Sequence, residues 1–291
     1  MKSTLIDNFT LLIWVSLMAS SFVVSELLIP FANPIATTAL RFMFATILML
    51  PFIGKISIEQ LSYKVLFHYS VISLLLVLFF IGLFEALKTT NALRTSVIYT
   101  LLPLISVIIT YSALKLITPN KQIAGFIIGT LGAIWVLLAF TQEKVIFSDW
   151  RLGDSIFLAA CFCLALHVIL IKKWATDISP VLGSFYIMLL GSIILLPFLL
   201  LFGDIYNIAW QQTTFWQTLL YLTVFTTIAT FYLQQHLLKT VGPNRLLSFT
   251  YLIPSLVVIP QATTNLSQLY SALPGIMLTL LALYLISKKH Q

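Results

Sequence analysis

The sequence predicts an all-α integral membrane protein with ten transmembrane helices, arranged as a 5+5 inverted-topology repeat around a central cavity. Three observations support this fold class: the composition, the recurrence of long apolar stretches and a similarity between the two halves of the chain. Of the 291 residues, 60% are hydrophobic and 9% are charged, whereas an ordinary globular domain is about half apolar and a quarter charged. This composition excludes a soluble enzyme, a disordered chain and a fibrous protein.

Apolar stretches long enough to cross a bilayer, which requires about 20 residues, recur along the whole chain. The connections between them are short, so no water-soluble domain fits anywhere and function must reside within the helix bundle. The ten predicted spans are residues 9–29, 34–53, 64–87, 92–115, 121–140, 153–173, 180–202, 214–238, 244–262 and 270–287.

The basic residues predict how the helices are oriented. Ten spans place both termini on one side, and a cytoplasmic assignment puts eleven Lys and Arg residues inside and four outside. Basic residues are retained in the cytoplasm during insertion, so both termini are predicted to be cytoplasmic. The net charge of +7 is then a topology signal, and no nucleic-acid partner is expected.

The two halves of the chain resemble each other. FEALKTTNALRTSVIYTLLP (84–103) aligns with QHLLKTVGPNRLLSFTYLIP (235–254) at an offset of 151, which pairs Arg94 with Arg245. Further upstream the offset becomes 146, and two pairs of prolines match there. We therefore predict one five-helix repeat in residues 1–145 and a second in residues 146–291. Because five is odd, the second repeat enters the membrane from the opposite side, which is a common plan of secondary transporters.

Equivalent prolines fall near the middle of two predicted spans. Pro103 lies in span four and Pro254 in span nine. Proline lacks an N–H and clashes with the carbonyl four residues earlier, so each is predicted to interrupt its helix. Paired interruptions point to a binding site, although both prolines could also only bend helices for packing.

Several short motifs, spread over nearly the whole chain, resemble the drug/metabolite transporter superfamily, EamA type. The resemblance implies an inner-membrane carrier of small metabolites, often an exporter of amino acids or related compounds, with a basket-like bundle and a central cavity. One departure is Glu26, since many relatives have a basic residue there. The motifs are Trp14, Ser21-Phe22, Arg41-Phe42, Ala86-Leu87-Lys88, Tyr99 to Pro103, the glycines Gly125, Gly129 and Gly132, Gly153-Asp154, Leu238-Lys239 with Gly242, and Thr250 to Pro254.

Polar and aromatic side chains within the spans are the candidate substrate-binding residues, because ionisable groups in hydrocarbon are costly and suggest function. Arg41 could bind a carboxylate bidentately, or it could form a structural pair. His167 could contact substrate or protons, or it could be a hydrogen-bonded packing residue. The full predicted set is Trp14, Arg41, Tyr99, His167, Tyr186, Tyr232, Gln234 and Tyr251.

Two residues at equivalent positions of the repeats are candidate gates. Glu85 lies three residues before Lys88, and His236 lies three before Lys239. They could face opposite sides of the membrane as a gate pair, and a protonatable His236 could couple transport to protons. Alternatively, they are interfacial neighbours of the two lysines at helical spacing.

These observations favour a secondary transporter of small organic metabolites. The favoured function is the export of amino acids or related compounds. Glu26 and Glu85 motivate an alternative, a carrier of cationic drugs or polyamines. An intramembrane enzyme or a channel is the alternative from another class, but the spans contain no G-x-S-x-G or H-E-x-x-H motif. We expect no catalytic residue, metal or cofactor. The expected partners are a small-molecule substrate and membrane lipid, with the chain as a monomer or homodimer.

Overall fold

The computed structural model describes residues 2–53, 62–115, 117–141, 150–174, 178–262 and 266–287. Four of the lysines behind the predicted orientation, Lys55, Lys144, Lys288 and Lys289, lie outside the described residues, as does the predicted boundary at 145/146. Within the described residues the chain is helical and contains no strand.

The first half contains two kinds of helix. Four helices are long: α1 (Lys2–Leu28), α2 (Pro34–Met49), α3 (Tyr63–Leu87) and α6 (Asn120–Phe140). Between α3 and α6 the chain forms two shorter helices, α4 (Ala92–Tyr99) and α5 (Leu102–Leu114).

The second half also combines long and short helices. The long ones are α7 (Leu152–Trp174), α8 (Pro180–Phe202) and α14 (Leu266–Ser287), and between α8 and α14 the helices are interrupted. In order these are α9 (Thr213–Thr223), a π-helical turn (Val224–Ala229), α10 (Thr230–Thr240), α11 (Pro243–Ser248), a 3₁₀ turn (Phe249–Leu252), α12 (Ile253–Val257) and α13 (Ile259–Ala262).

Eight helical segments of the described chain are long and apolar enough to cross a membrane, with α4 and most of α5 taken together as one segment, Ala92–Ser112. They correspond to the predicted spans except those at 214–238 and 244–262, where the π turn, the 3₁₀ turn and the prolines divide the helix. The all-helical membrane fold is therefore confirmed, while the count of ten remains a prediction. Pro103 lies in the first turn of α5 and Pro254 in the first turn of α12.

Helix starts follow from local sequence. Asn33, Ser62, Asn91 and Ser179 each precede a helix and accept a hydrogen bond from a backbone N–H of its first turn. Such N-caps satisfy donors that would otherwise be unpaired. They matter here because hydrocarbon offers unpaired backbone groups no partner.

Helices α6 and α14 cross at very close range. A Cβ on Gly132 would lie 2.7 Å from the Gly275 carbonyl oxygen, and a Cβ on Gly275 would lie 2.7 Å from that of Gly132. Only glycine permits this reciprocal backbone contact, as at other small-residue crossings in membranes. Helices α2 and α8 also pack together, with the hydroxyl oxygens of Thr46 and Ser192 3.3 Å apart.

Candidate transport site

The centre of the bundle contains a fully buried arginine, Arg41 of α2. Its Nε donates to the Thr227 hydroxyl, and its Nη2 donates to the carbonyl and the hydroxyl of Thr226, both at 2.8 Å. The guanidinium carbon lies 4.2 Å from the ring centroid of Phe80, a cation–π contact. Arg41 therefore connects the first half of the chain to the π turn in the second.

The charge of Arg41 has no ionic partner among the described residues. Its Nη1 is buried and has no hydrogen-bond partner in the part of the chain that the structure describes. A guanidinium carries five N–H donors, and the two on Nη1 stay unused. A buried charge without compensation is unfavourable, so this side of Arg41 is suited to an anion.

Two consecutive threonines of the π turn accept hydrogen bonds from Arg41. The hydroxyl of Thr227 donates to the Leu222 carbonyl at 2.9 Å and that of Thr226 donates to the same carbonyl at 3.0 Å. Each hydroxyl oxygen keeps acceptor capacity for the guanidinium. Single π turns inside α-helices often occur at functional sites.

A small cavity of about 10 Å³ lies beside these groups and has room for roughly one water molecule. Of the predicted site residues, Tyr99 and Gln234 line it, and the Gln234 Nε2 is buried without a partner. Most of the wall is aromatic or aliphatic. The lining residues are Met18, Ser21, Phe22, Phe79, Phe80, Leu83, Tyr99, Leu164, Thr226, Phe231 and Gln234.

The aromatic wall is a packed cluster rather than a set of isolated rings. Tyr99 contacts Phe22 edge to face, with centroids 5.2 Å apart, and Phe79 at 6.1 Å. Phe157 stacks on Tyr99, with ring centroids 6.4 Å apart. These rings provide apolar contact area, and the tyrosine adds one polar group.

His167 of α7 lies next to the cavity without lining it. Its ring is 6.0 Å from that of Phe231, a lining residue. Its Nδ1 lies 2.9 Å from the Ile72 carbonyl, while the buried Nε2 has no partner. One nitrogen thus fixes the ring against α3, and the other is available for a hydrogen bond.

The other predicted binding residues do not line this cavity. Trp14 is completely buried, with an unpartnered Nε1, and Tyr186 packs against Tyr69 at 5.4 Å. Tyr251 lies on Gly129, where a Cβ would touch its ring at 2.7 Å. Tyr232 is 42% exposed, so the structure does not bring it to the cavity.

The two predicted gate residues are not brought together. Glu85 and Lys88 form an ion pair of 2.9 Å, with 36% and 42% of their side chains exposed. The pair has the helical spacing that the alternative to a gate expects. His236 is exposed on α10, and the gating roles of Glu85 and His236 remain predictions.

Sequence reasoning missed a buried ion pair between Arg94 of α4 and Asp154 of α7. Arg94 Nε is 3.0 Å from both carboxylate oxygens, and Nη2 is 2.7 Å from Oδ2. The side chains are only 5% and 0% exposed. Arg94 is one of the four basic residues counted on the outer side, although it falls at the start of the predicted span 92–115. Asp154, directly after Gly153 at the start of another span, is the sequence signal for a partner.

A model of the EamA-like transporter family matches the chain twice, at residues 6–138 and 151–288. The chain belongs to this family. Membership confirms the resemblance found in the sequence, and it identifies an integral membrane protein of a transporter family.

Proteins similar to this chain are also described as transporters. An uncharacterized transporter of Archaeoglobus fulgidus is 24% identical over 299 residues, covering 100% of this chain and 99% of that protein. The uncharacterized transporter YyaM of Bacillus subtilis is 24% identical over 182 residues, which are 62% of this chain but only 58% of YyaM. YetK of the same organism is 24% identical over 221 residues, covering 75% of this chain and 67% of YetK.

The fold is also that of a known structure. One protein crystal structure covers 98% of this chain with a TM-score of 0.69 at 18% identity, and 97% of that structure is matched. In this EamA-like fold the Arg94–Asp154 ion pair connects the two segments that match the family model, since Arg94 belongs to 6–138 and Asp154 to 151–288.

Proposed function

We propose that this protein is a secondary transporter that exports small organic metabolites across the inner or plasma membrane by alternating access. Amino acids and related compounds that carry a carboxylate are the favoured substrates. The observation that carries the proposal is the buried Arg41, whose Nη1 donors lack a partner among the described residues. Two residues that contact Arg41, Thr226 and Phe80, line the aromatic cavity. A carboxylate would satisfy these donors and neutralise the charge.

The predicted repeat supports alternating access. The family model matches each half separately, and the contacts between α6 and α14 are reciprocal. A protein built from ten spans in two inverted repeats can exchange the conformations of its halves, which opens the central site to one side and then to the other.

The alternative of a cationic substrate has less support. Glu26 accepts a hydrogen bond from the Ala92 backbone N–H at 2.8 Å, and Glu85 pairs with Lys88 at the surface. No carboxylate lines the described cavity. Both acidic residues that motivated the cationic reading are therefore engaged away from the cavity.

A counterflow assay tests this function. Purified protein is reconstituted in liposomes that contain an excess of one amino acid, and uptake of the labelled compound is measured. We expect saturable uptake that depends on the internal load. If the folded protein exchanges no neutral, acidic or aromatic amino acid, but does exchange polyamines, the proposal is wrong in favour of the cationic alternative.

Variants connect the transport to the site. Arg41→Gln removes the charge, and because hydrogen bonds to charged groups contribute about 1.5–3 kcal/mol, we expect exchange to fall roughly tenfold to a hundredfold. Tyr99→Phe should reduce exchange, whereas Tyr232→Phe, on an exposed ring, should not. Equal activity of the Arg41 and Tyr232 variants would contradict the assignment of the site.

A further inference from the structure

Two polar contacts occupy equivalent positions in the two halves of the chain. At one, Arg94 of α4 binds Asp154 of α7. At the other, the Nη2 of Arg245 in α11 donates to Asn8 Oδ1 of α1 at 2.7 Å. The offset of 151 relates the two arginines, and the offset of 146 relates Asn8 to Asp154. Each contact connects one matched segment to the other.

The two contacts lie at opposite ends of the bundle. Glu26, near the C-terminal end of α1, binds the N–H of Ala92, two residues before Arg94. Asn8 lies near the N-terminal end of the same helix, 18 residues before Glu26. At a rise of 1.5 Å per residue, the ends of α1 that hold these contacts are about 27 Å apart.

Both contacts are formed in this structure, and the cavity of about 10 Å³ lies inside the bundle. Opening that cavity toward one end requires the helices that carry the contact at that end to separate. Arg94 must then leave Asp154, or Arg245 must leave Asn8.

The contacts differ in chemistry. At the first end, a guanidinium and a carboxylate are buried together in bidentate geometry, and separating them leaves two charges to be solvated. At the second end a partly exposed arginine meets a neutral amide. Asp7, next to Asn8, forms no ion pair in the described structure, so its carboxylate does not replace the missing charge.

We propose that Arg94 and Asp154 are positioning residues that hold one end of the transporter closed, so that in the absence of substrate the central site opens mainly at the Asn8 end. This inference rests on the proposed alternating-access function. With cytoplasmic termini, the favoured opening faces the cytoplasm, where the cargo of an exporter is taken up.

Exchanging the two acceptors tests the proposal. The double variant Asn8→Asp/Asp154→Asn keeps the total charge and moves the carboxylate to the other end. A reporter cysteine at Ser21, which lines the cavity, is placed in a background without Cys161 and Cys163. Labelling by a membrane-impermeant maleimide is then measured from each side of proteoliposomes, with the N-terminal side located by an N-terminal tag.

We expect the parent protein to be labelled at least about tenfold faster from the N-terminal side, and the exchange variant to reverse this preference. The single variant Asn8→Asp, which retains the native ion pair, should slow labelling from the N-terminal side and keeps the test usable if Asp154→Asn does not fold. An unchanged ratio in folded Asn8→Asp and in the exchange variant would overturn the proposal, because a purely structural ion pair would not move sidedness.

The labelling assay contains no substrate, so it separates this inference from the proposed function. Reversed sidedness without counterflow would retain the positioning role and reject the carrier. Counterflow with unchanged sidedness would retain the carrier and reject the positioning role.

Discussion

The two ends of the bundle have equivalent residues but different chemistry. At the Asp154 end, Arg94 lies in a buried bidentate ion pair and Glu26 binds the first turn of α4. At the Asn8 end, Arg245 contacts an amide, and Lys172, which the offset of 146 relates to Glu26, lies 3.5 Å from the Leu238 carbonyl. The two halves thus share a helix arrangement, but the contact at the Asp154 end is an ion pair and the one at the Asn8 end is a hydrogen bond to a neutral amide.

The largest expected difference between the ends concerns the ion pair. Asp154→Ala removes the carboxylate that binds the buried Arg94 guanidinium, so we expect a loss of about 3–5 kcal/mol in stability. Asn8→Ala removes one hydrogen bond to a partly exposed arginine and should lose no more than about 1.5 kcal/mol. Thermal unfolding in detergent measures both, and equal losses would contradict the comparison.

The next largest difference between the two ends is expected from the close backbone packing at Gly153. A Cβ on Gly153 would lie 2.7 Å from the Ala86 carbonyl oxygen and would collide with the Thr89 hydroxyl. Gly153→Ala should therefore cost about 1–3 kcal/mol through overpacking. The equivalent residue at the other end is Asp7, where a change to alanine should stay within about 0.5 kcal/mol. If Gly153→Ala leaves the unfolding temperature unchanged in the same assay, α3 and α7 do not pack as closely at Gly153 as the structure indicates.

The residues that bind helix ends should differ by a smaller amount. Glu26→Ala removes a carboxylate acceptor from the N-terminus of α4, where such a group is favourable, and should cost about 0.5–2 kcal/mol as other cap losses do. Lys172→Ala loses a contact at the limit of hydrogen-bond length and should change stability by less than about 0.5 kcal/mol. Glu26→Gln is the control, since the amide oxygen retains the acceptor; if it unfolds as readily as Glu26→Ala, the hydrogen bond is not the cause.

The smallest effect is expected at the surface of the Asp154 end. Lys88 and Glu85 are both more than one third exposed, and exposed ion pairs contribute about 0–1 kcal/mol. Lys88→Ala should therefore change the unfolding temperature very little, and the change should vanish at high salt. A loss as large as that of Asp154→Ala would mean that charge in general, rather than burial, stabilises this end.

Much of the fold could be predicted from local sequence. The predicted helix starts at 34, 64, 92 and 180 lie at or within one residue of the observed starts, because Asn33, Ser62, Asn91 and Ser179 cap them. Long apolar stretches gave the eight spans because bilayer thickness sets their length. The interruption after Thr223 is not predicted by the sequence. The partner of Thr226 and Thr227 in this π turn is Arg41, which is distant in the chain, so the local sequence does not reveal the contact.

The candidate site was predicted less well. Tyr99 and Gln234 line the cavity, but Tyr232, only two residues before Gln234, is exposed. When the lipid-facing and the inward-facing sides of a helix are both apolar, the sequence lacks the amphipathic contrast that would assign each face.

The sequence by itself determined the membrane class, the family and the positions of most helices, because these depend on composition, caps and short motifs along the chain. Only the tertiary structure decided which charges meet. Arg94 and Asp154 are 60 residues apart in sequence, and Arg41 and Thr227 are 186 apart. Such pairs depend on how the helices cross, and their strength depends on how deeply they are buried. Neither property follows from the chemistry of a single residue.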